Sequence, residues 1–228
     1  MTKIAIISDF NTANLAGLIN NDAGDPKLEA LDVPFGQVVQ LLVDANQDVW
    51  QQTPDVALAW TQPQGVIESF QRMLDGEIVA TDDLLADVDA YADLLLMAAE
   101  RVRTLLVATW VLPSYMRGAG LLEMRPGVGL AQAVMRMNLR LSERLEAAGN
   151  AYMLNAQPWM ESGRRSAYNP KLWYMGKIAF SNDVFKAAVG EIKAALSALG
   201  GGRKKLIVLD LDNTMWGGVV GDLGWEDR

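Results

Sequence analysis

Short apolar runs alternate with amphipathic stretches along the first 200 positions. The apolar runs, which are typical of buried strands, occupy residues 3–7, 28–33, 56–60, 104–112 and 151–154. Between them, apolar residues recur at helical spacing, most clearly over residues 84–102, 130–145 and 184–196. Parallel strands need crossover connections, which helices supply. The pattern therefore predicts an α/β fold, a three-layer α/β/α sandwich with a mainly parallel sheet.

Proline, glycine and hydroxyl residues mark where the predicted helices begin and end. Pro34 is expected to start the second helix. Thr81 and Ser181 are expected to cap two later helices with their side chains. The last helix should end at the glycines 200–202, which also form the best candidate linker. We therefore divide the chain into a domain at 1–200 and a linker with the start of a second domain at 201–228.

Composition restricts the possible partners and the location. The net charge of −8 argues against nucleic-acid binding, although Arg164, Arg165 and Lys171 form one small basic cluster. No apolar run reaches the roughly 18 residues of a membrane span, so we expect no membrane contact. The sequence has no cysteine, which excludes disulfides and thiolate sites. These features indicate a cytoplasmic protein.

The sequence also contains no histidine, which limits its chemistry. Ser-His-Asp triads, Cys-His dyads and histidine metal sites are excluded within these residues. In parallel α/β folds, ligands bind at the carboxyl ends of the strands. Asp9 and Asn11 follow the first strand and are the candidate substrate-binding residues there. The alternative is that both only satisfy backbone groups of their loop.

The most specific chemical signal comes after the glycine linker. An apolar run at 206–209 leads into Asp210, Asp212 and Thr214. Asp210 can attack a phosphoryl group, and Asp212 can protonate the leaving group and then activate water. Mg²⁺ suits such hard oxygen ligands, so Asp210 and Asp212 are also the predicted metal ligands. Thr214 can steady the loop and contact the substrate, whereas a bare Asp-x-Asp is more often a solvated turn.

Residues 206–222, LIVLDLDNTMWGGVVGD, resemble the first motif of haloacid-dehalogenase-like (HAD-like) phosphotransferases, and more narrowly that of the FkbH-like branch. Looser similarity covers residues 54–63 and 169–185. The resemblance implies transfer of a glyceryl unit from a phosphorylated three-carbon donor to an acyl carrier protein. It implies Asp210 as nucleophile and Mg²⁺ ligand, and Asp212 as acid/base that binds the metal through its carbonyl.

The later motifs of that family, a Ser or Thr, a Lys and an acidic pair, do not occur before residue 228. We therefore expect these residues to be part of a longer enzyme and to be inactive alone. Residues 206–211 would then form a strand without its own sheet. Such a strand is expected to be disordered, to pair with the edge of the first sheet, or to pair with a second molecule in a dimer.

The N-terminal domain of FkbH-like proteins resembles the flavodoxin-like SGNH-hydrolase fold. Active SGNH enzymes carry Gly-Asp-Ser after the first strand and a late Asp-x-x-His. Here Phe10 follows Asp9, and Ser8 precedes it, so serine-hydrolase chemistry is disfavoured. Two interpretations remain: a domain that presents a substrate or carrier protein to the phosphotransferase, or a stand-alone non-catalytic binding domain. An SGNH-type esterase or acyltransferase is a third, weaker alternative.

Three aromatic residues of the first domain are candidates for a ligand-binding or carrier-protein-binding wall, namely Trp159, Trp173 and Tyr174. Packing in the core or at its boundary is the more frequent role of such residues.

Overall fold

The computed structural model describes residues 1–113, 116 and 118–201. The predicted strand 206–211 and the candidate residues Asp210, Asp212 and Thr214 lie outside the described residues. The chain divides into two compact units, Met1–Ala194 and Ala195–Arg228. The predicted division at residue 200 stays a prediction.

A five-stranded parallel sheet forms the centre of the first unit. Its strands are β1 (Thr2–Ile7), β2 (Leu28–Ala30), β3 (Val56–Ala59), β4 (Thr104–Ala108) and β5 (Ala151–Leu154). Their order across the sheet is β2-β1-β3-β4-β5. This is the doubly wound, flavodoxin-like order, so the predicted fold class is confirmed.

Nine α-helices connect or follow these strands within the described residues. They are α1 (Ala13–Asn21), α2 (Val38–Val43), α3 (Asp48–Gln51), α4 (Glu68–Leu74), α5 (Thr81–Ala99), α6 (Leu130–Leu145), α7 (Gln157–Gly163), α8 (Pro170–Gly176) and α9 (Asn182–Leu199). None of these helices is long and apolar enough to cross a membrane.

Both faces of the sheet are buried, which explains why its central strands are continuous apolar runs. Ala5, Ile7 and Ala59 share one core cluster with residues of α2, α4, α5 and α6. The alternate positions Ile6 and Leu58 are equally buried but lie outside that cluster. Since successive side chains of a strand point to opposite faces, a second layer of the core covers the other side of the sheet.

Several predicted boundaries were wrong for local reasons. Pro34 does not start α2: Gly36 has a φ of +82° and donates its N–H to the carbonyl of Ser8, so a turn precedes the helix. Thr81 is already the first residue of α5, so the capping position falls on Ala80, which makes no side-chain hydrogen bond there. The Ser181 hydroxyl is buried without a hydrogen-bond partner among the described residues, so it is not a cap either. The fourth strand ends at Ala108, four residues earlier than predicted.

Lys193 of α9 ties down the loop that follows α1. Its side chain is buried, and its ammonium donates to the Asp22 carboxylate at 2.7 Å and to the carbonyl of Gly24. The hydrogen bond from Lys193 holds the pKa of Asp22 below its ordinary value. Because these two elements are distant in sequence, the interaction helps to fix α1 beside the sheet.

Replacing Lys193 with Ala should therefore destabilise the fold. The variant loses the buried stem and leaves the Gly24 carbonyl without its ammonium donor. We expect the melting temperature, measured by circular dichroism, to fall by about 4 °C or more. Lys186→Ala is the matched control on the same helix, because the Lys186 side chain is 65% exposed. Equal melting temperatures for the two variants would contradict a structural role of Lys193.

Candidate functional site

Asp9 lies between β1 and β3, where the order of the strands reverses direction. Its Oδ1 accepts a hydrogen bond from the backbone N–H of Gln62 at 2.8 Å. A Cβ atom on Gly65 would lie 2.2 Å from Oδ2 of Asp9, so only a glycine permits this close approach. The carboxylate therefore joins the loop after β1 to the turn after β3, at the position where doubly wound folds bind ligands.

Burial raises the pKa of Asp9 from 3.8 to about 6, although hydrogen bonds from the N–H of Gln62 and from its own N–H oppose the shift. The carboxylate therefore carries a charge at neutral pH in an environment that disfavours it. Such a group is a candidate for a functional role.

The pKa of Asp9 predicts how the stability of the fold depends on pH. Between pH 4 and 6 the native state binds more protons at this group than the unfolded chain does, so its contribution to the free energy of unfolding falls as pH rises. Asp9→Asn keeps an oxygen for the N–H of Gln62 and removes the charge. We expect the variant to gain up to about 3 kcal/mol at pH 7.5 in urea unfolding, and little at pH 4. If Asp9→Asn changed the free energy of unfolding by the same amount at pH 4 and at pH 7.5, this result would contradict the raised pKa of Asp9.

Thr61 is the second residue after β3. Its side chain connects the turn near Asp9 to α5 and to the segment after β4. Its hydroxyl oxygen accepts from Nε1 of Trp110 at 3.2 Å and lies 3.4 Å from the hydroxyl of Tyr91. Burial raises the pKa of Tyr91, the bond to Thr61 opposes this, and the charge of Asp9 adds to the increase. The Tyr91 hydroxyl is therefore neutral at physiological pH and can act only as a hydrogen-bonding group.

Aromatic side chains pack around Phe10, the residue that follows Asp9. Phe10 is fully buried and makes edge contacts with Trp60 and Phe180, at centroid distances of 5.6 and 5.1 Å. Trp60 stacks on Phe180 at 5.0 Å and also contacts Trp159. The crevice left between these residues and the loop after β4 has a volume of only about 10 Å³. That volume is room for about one water molecule.

Ser8 is not placed to act as a nucleophile. It is 1% exposed, and its hydroxyl oxygen accepts the backbone N–H of Phe10 at 3.1 Å. The position after Asp9, where active SGNH enzymes carry serine, holds the buried ring of Phe10. Neither position therefore presents an exposed hydroxyl group.

Asn11, the other predicted substrate contact, faces a different space from Asp9. It lines a cavity of about 540 Å³, which we call the α1 cavity and which Asp9 does not line. The walls come from the loop after β1, one side of α1 and the segment after β2, with Thr12, Gly17, Asn20, Asp32 and Phe35 among the lining residues. Asp9 and Asn11 thus belong to the same loop, but only Asn11 lines the α1 cavity.

The predicted aromatic wall is not one surface. Trp159 is buried in the aromatic core, whereas Tyr174 of α8 is 89% exposed. Trp173 lies between these extremes, with the ammonium of Lys177 4.9 Å from its ring centroid. Trp159 thus has the packing role that was the more frequent expectation, and of these three residues Tyr174 is the most exposed.

No group of three or more acidic side chains that could hold a metal ion occurs in the described part of the chain. The predicted Mg²⁺ ligands Asp210 and Asp212 lie outside it. A carboxylate oxygen of Asp210 and a backbone carbonyl oxygen of Asp212 would both be hard oxygen ligands, which are the kind that Mg²⁺ prefers.

No protein-family model and no curated protein matches the sequence. The fold is similar to the solved N-terminal part of the protein BF1531 from Bacteroides fragilis, which contains a phosphatase domain complexed with Mg. The TM-score is 0.76 at 22% identity, over 99% of this chain and 59% of that one. This chain therefore spans about three fifths of the length of that structure.

The fold is also similar to hydrolases. Axe2, an acetylxylan esterase from Geobacillus stearothermophilus, matches with a TM-score of 0.52 at 16% identity, over 84% of this chain and 92% of that one. LAE5, an α/β hydrolase from the Lake Arreo metagenome, matches with a TM-score of 0.53 at 14% identity, over 87% of this chain and 96% of that one. The first unit therefore has a hydrolase-like fold. Catalytic mutants of Axe2 replace a serine and a histidine, and the present sequence contains no histidine.

Sequence reasoning missed two features of this region. Gly65 was not recognised as the contact that Asp9 requires, because β1 and β3 become neighbours only in the folded sheet. Tyr91 falls within the helical apolar pattern of residues 84–102, which did not indicate that its hydroxyl lies beside Thr61 and near Asp9. A glycine two residues after Pro63 was the one local signal for the tight turn.

Proposed function

We propose that the chain is the front portion of an FkbH-like, Mg²⁺-dependent phosphatase or glyceryl transferase. One observation carries the proposal: the motif at 206–222 follows a domain with the fold of the N-terminal part of a phosphatase-containing protein. The substrates would be a phosphorylated three-carbon donor and an acyl carrier protein. The described domain would bind or present one of them.

The proposed chemistry uses two carboxylates. A carboxylate oxygen of Asp210 attacks phosphorus, forming an aspartyl phosphate while the bond from phosphorus to the leaving oxygen breaks. Asp212 donates its proton to that oxygen, and then accepts one from the water that attacks the aspartyl phosphate and releases inorganic phosphate. Bound Mg²⁺ would offset the repulsion between the phosphate and the carboxylates.

Three properties of the first domain support a binding role in this proposal. Phe10 occupies the position of the serine nucleophile and is fully buried. The crevice lined in part by Trp60, Tyr168 and Phe180 has a volume of only about 10 Å³, and the sequence provides no histidine base. The hydrolase-like fold is thus retained without the groups that an esterase of this kind needs.

Sequencing the gene beyond codon 228 tests the proposal. We expect an open reading frame with a strand ending in Ser or Thr, a later Lys and a closing acidic pair. A stop codon after Arg228 would contradict the catalytic proposal for this molecule.

A stand-alone binding domain for a ligand or an acidic carrier protein is the second candidate. It is favoured by the exposed residues of α8, where Tyr174 and Met175 are 89% and 72% exposed beside Lys177. Titration with a purified acyl carrier protein, followed by calorimetry, tests it. Binding that is lost in the Tyr174→Ser variant would support this candidate. If the titration released no heat of binding, the carrier protein would be excluded as the partner. An ester-hydrolysis assay no faster than buffer would remove the remaining esterase alternative.

A further inference from the structure

The α1 cavity presents free amide donors whose orientation is fixed by the backbone. Oδ1 of Asn11 accepts from the N–H of Ala13 at 3.0 Å, and Oδ1 of Asn20 accepts from the N–H of Ala30 at 2.7 Å. Both residues line the cavity. The oxygen of each side chain is engaged in this way, whereas its Nδ2 group, with two N–H donors, makes no hydrogen bond to the described residues.

Thr12 and Asp32 add a hydroxyl and a carboxylate to the same lining. Thr12 is only 7% exposed, yet its side chain makes no capping hydrogen bond at the start of α1. No lysine or arginine lines the cavity. An anionic ligand such as a phosphate or carboxylate would therefore be repelled by Asp32, with no positive side chain to compensate. A cationic ligand would face the four amide N–H donors, which cannot coordinate it.

Gly17 lines the α1 cavity without contributing a side chain to it. It lies in the middle of α1, where glycine is less favourable than alanine. A Cβ added there would meet no atom within 4 Å, so close packing does not require the glycine. The absence of a side chain at this position instead leaves the cavity open.

We propose that the α1 cavity binds a small, uncharged, polyhydroxylated compound, that is, a polyol or a monosaccharide. Hydroxyl groups both accept and donate, so they match the amide donors of Asn11 and Asn20 together with the carboxylate acceptor of Asp32. The carbon-bound hydrogens of such a ligand would pack on the apolar lining, which includes Ala16 and Leu31. The volume of about 540 Å³ lies within the usual range for small-molecule sites.

The test is a titration of the uniformly ¹⁵N-labelled 228-residue chain with glycerol and with D-glucose, followed by backbone amide shifts. Glycerol 3-phosphate and choline are the charged comparisons. We expect saturable shifts confined to residues 13–21 and 30–35, with a dissociation constant of about 1 mM or lower for a neutral probe. Both charged probes should bind at least about tenfold more weakly.

Two sets of variants separate binding in the cavity from other effects. Gly17→Leu should project a branched side chain into the cavity and weaken binding at least about tenfold, whereas Gly17→Ala should bind like the wild type. The double variant Asn11→Asp, Asn20→Asp keeps the two backbone bonds, removes the amide donors and should bind as weakly as Gly17→Leu.

The proposal is overturned if neither neutral probe saturates, if a charged probe binds more tightly, or if Gly17→Leu binds like the wild type. It does not depend on the phosphotransferase proposal. A stop codon after Arg228 would leave the expected binding unchanged.

Discussion

Phe10→Ser should lower the free energy of unfolding by about 3–5 kcal/mol, without creating an esterase. The change removes a fully buried ring that contacts Trp60 and Phe180, and it places a hydroxyl in an apolar environment. It also restores the serine of the SGNH motif directly after Asp9. Hydrolysis should still not exceed the buffer rate, because the sequence contains no histidine to activate that serine.

Urea unfolding and an assay with an activated acetyl ester measure the two effects. Phe35→Ser is the matched control for stability: Phe35 is 42% exposed, so its replacement should cost far less. Equal losses in the two variants would contradict the packing role of Phe10. Serine-dependent turnover by Phe10→Ser would contradict the conclusion that the domain lacks the remaining catalytic groups.

Asp210→Asn should reduce Mg²⁺-dependent phosphate transfer by the protein encoded by the complete gene at least about a thousandfold. An amide cannot act as the attacking carboxylate, and it removes one charged ligand of the metal. Asp212→Asn should also be strongly impaired, because an amide cannot donate a proton to the leaving oxygen and then recover it from water.

Asp227→Asn is the matched control, since it removes a nearby carboxylate that lies outside the motif. The three variants should be compared by phosphate release at saturating Mg²⁺, with circular dichroism to confirm that each is folded. Near-wild-type activity in Asp210→Asn would contradict its assignment as nucleophile. A loss in Asp227→Asn as large as that in Asp210→Asn would show that the assay responds to general damage.

The sheet was predictable from sequence because buried parallel strands and amphipathic helices have different apolar periods. The run Val56–Ala59 and the helix Leu130–Leu145 illustrate this, as both occur where their patterns indicated. Helix starts were less predictable, since they depend on backbone geometry that a single residue type does not determine. Pro34 suggested a helix, but the positive φ of Gly36 makes the intervening residues a turn.

The candidate site was only partly predictable. The position of Asp9 at the end of β1 followed from the strand pattern, whereas its contact with Gln62 depends on β1 and β3 becoming neighbours. The separation of Asp9 from Asn11 depends on the direction of each side chain, which periodicity does not report. The α1 cavity depends on the space around Gly17, and an isolated helical glycine does not show whether that space is filled.

The most direct test of the central claim is phosphate release from a phosphorylated three-carbon acid by the protein encoded by the complete gene. The assay should be run with Mg²⁺ and then with excess chelator. The account predicts release with Mg²⁺, loss of that release on chelation, and its recovery when Mg²⁺ is restored. Release no faster than buffer with Mg²⁺, or release that is unchanged by the chelator, would contradict the account.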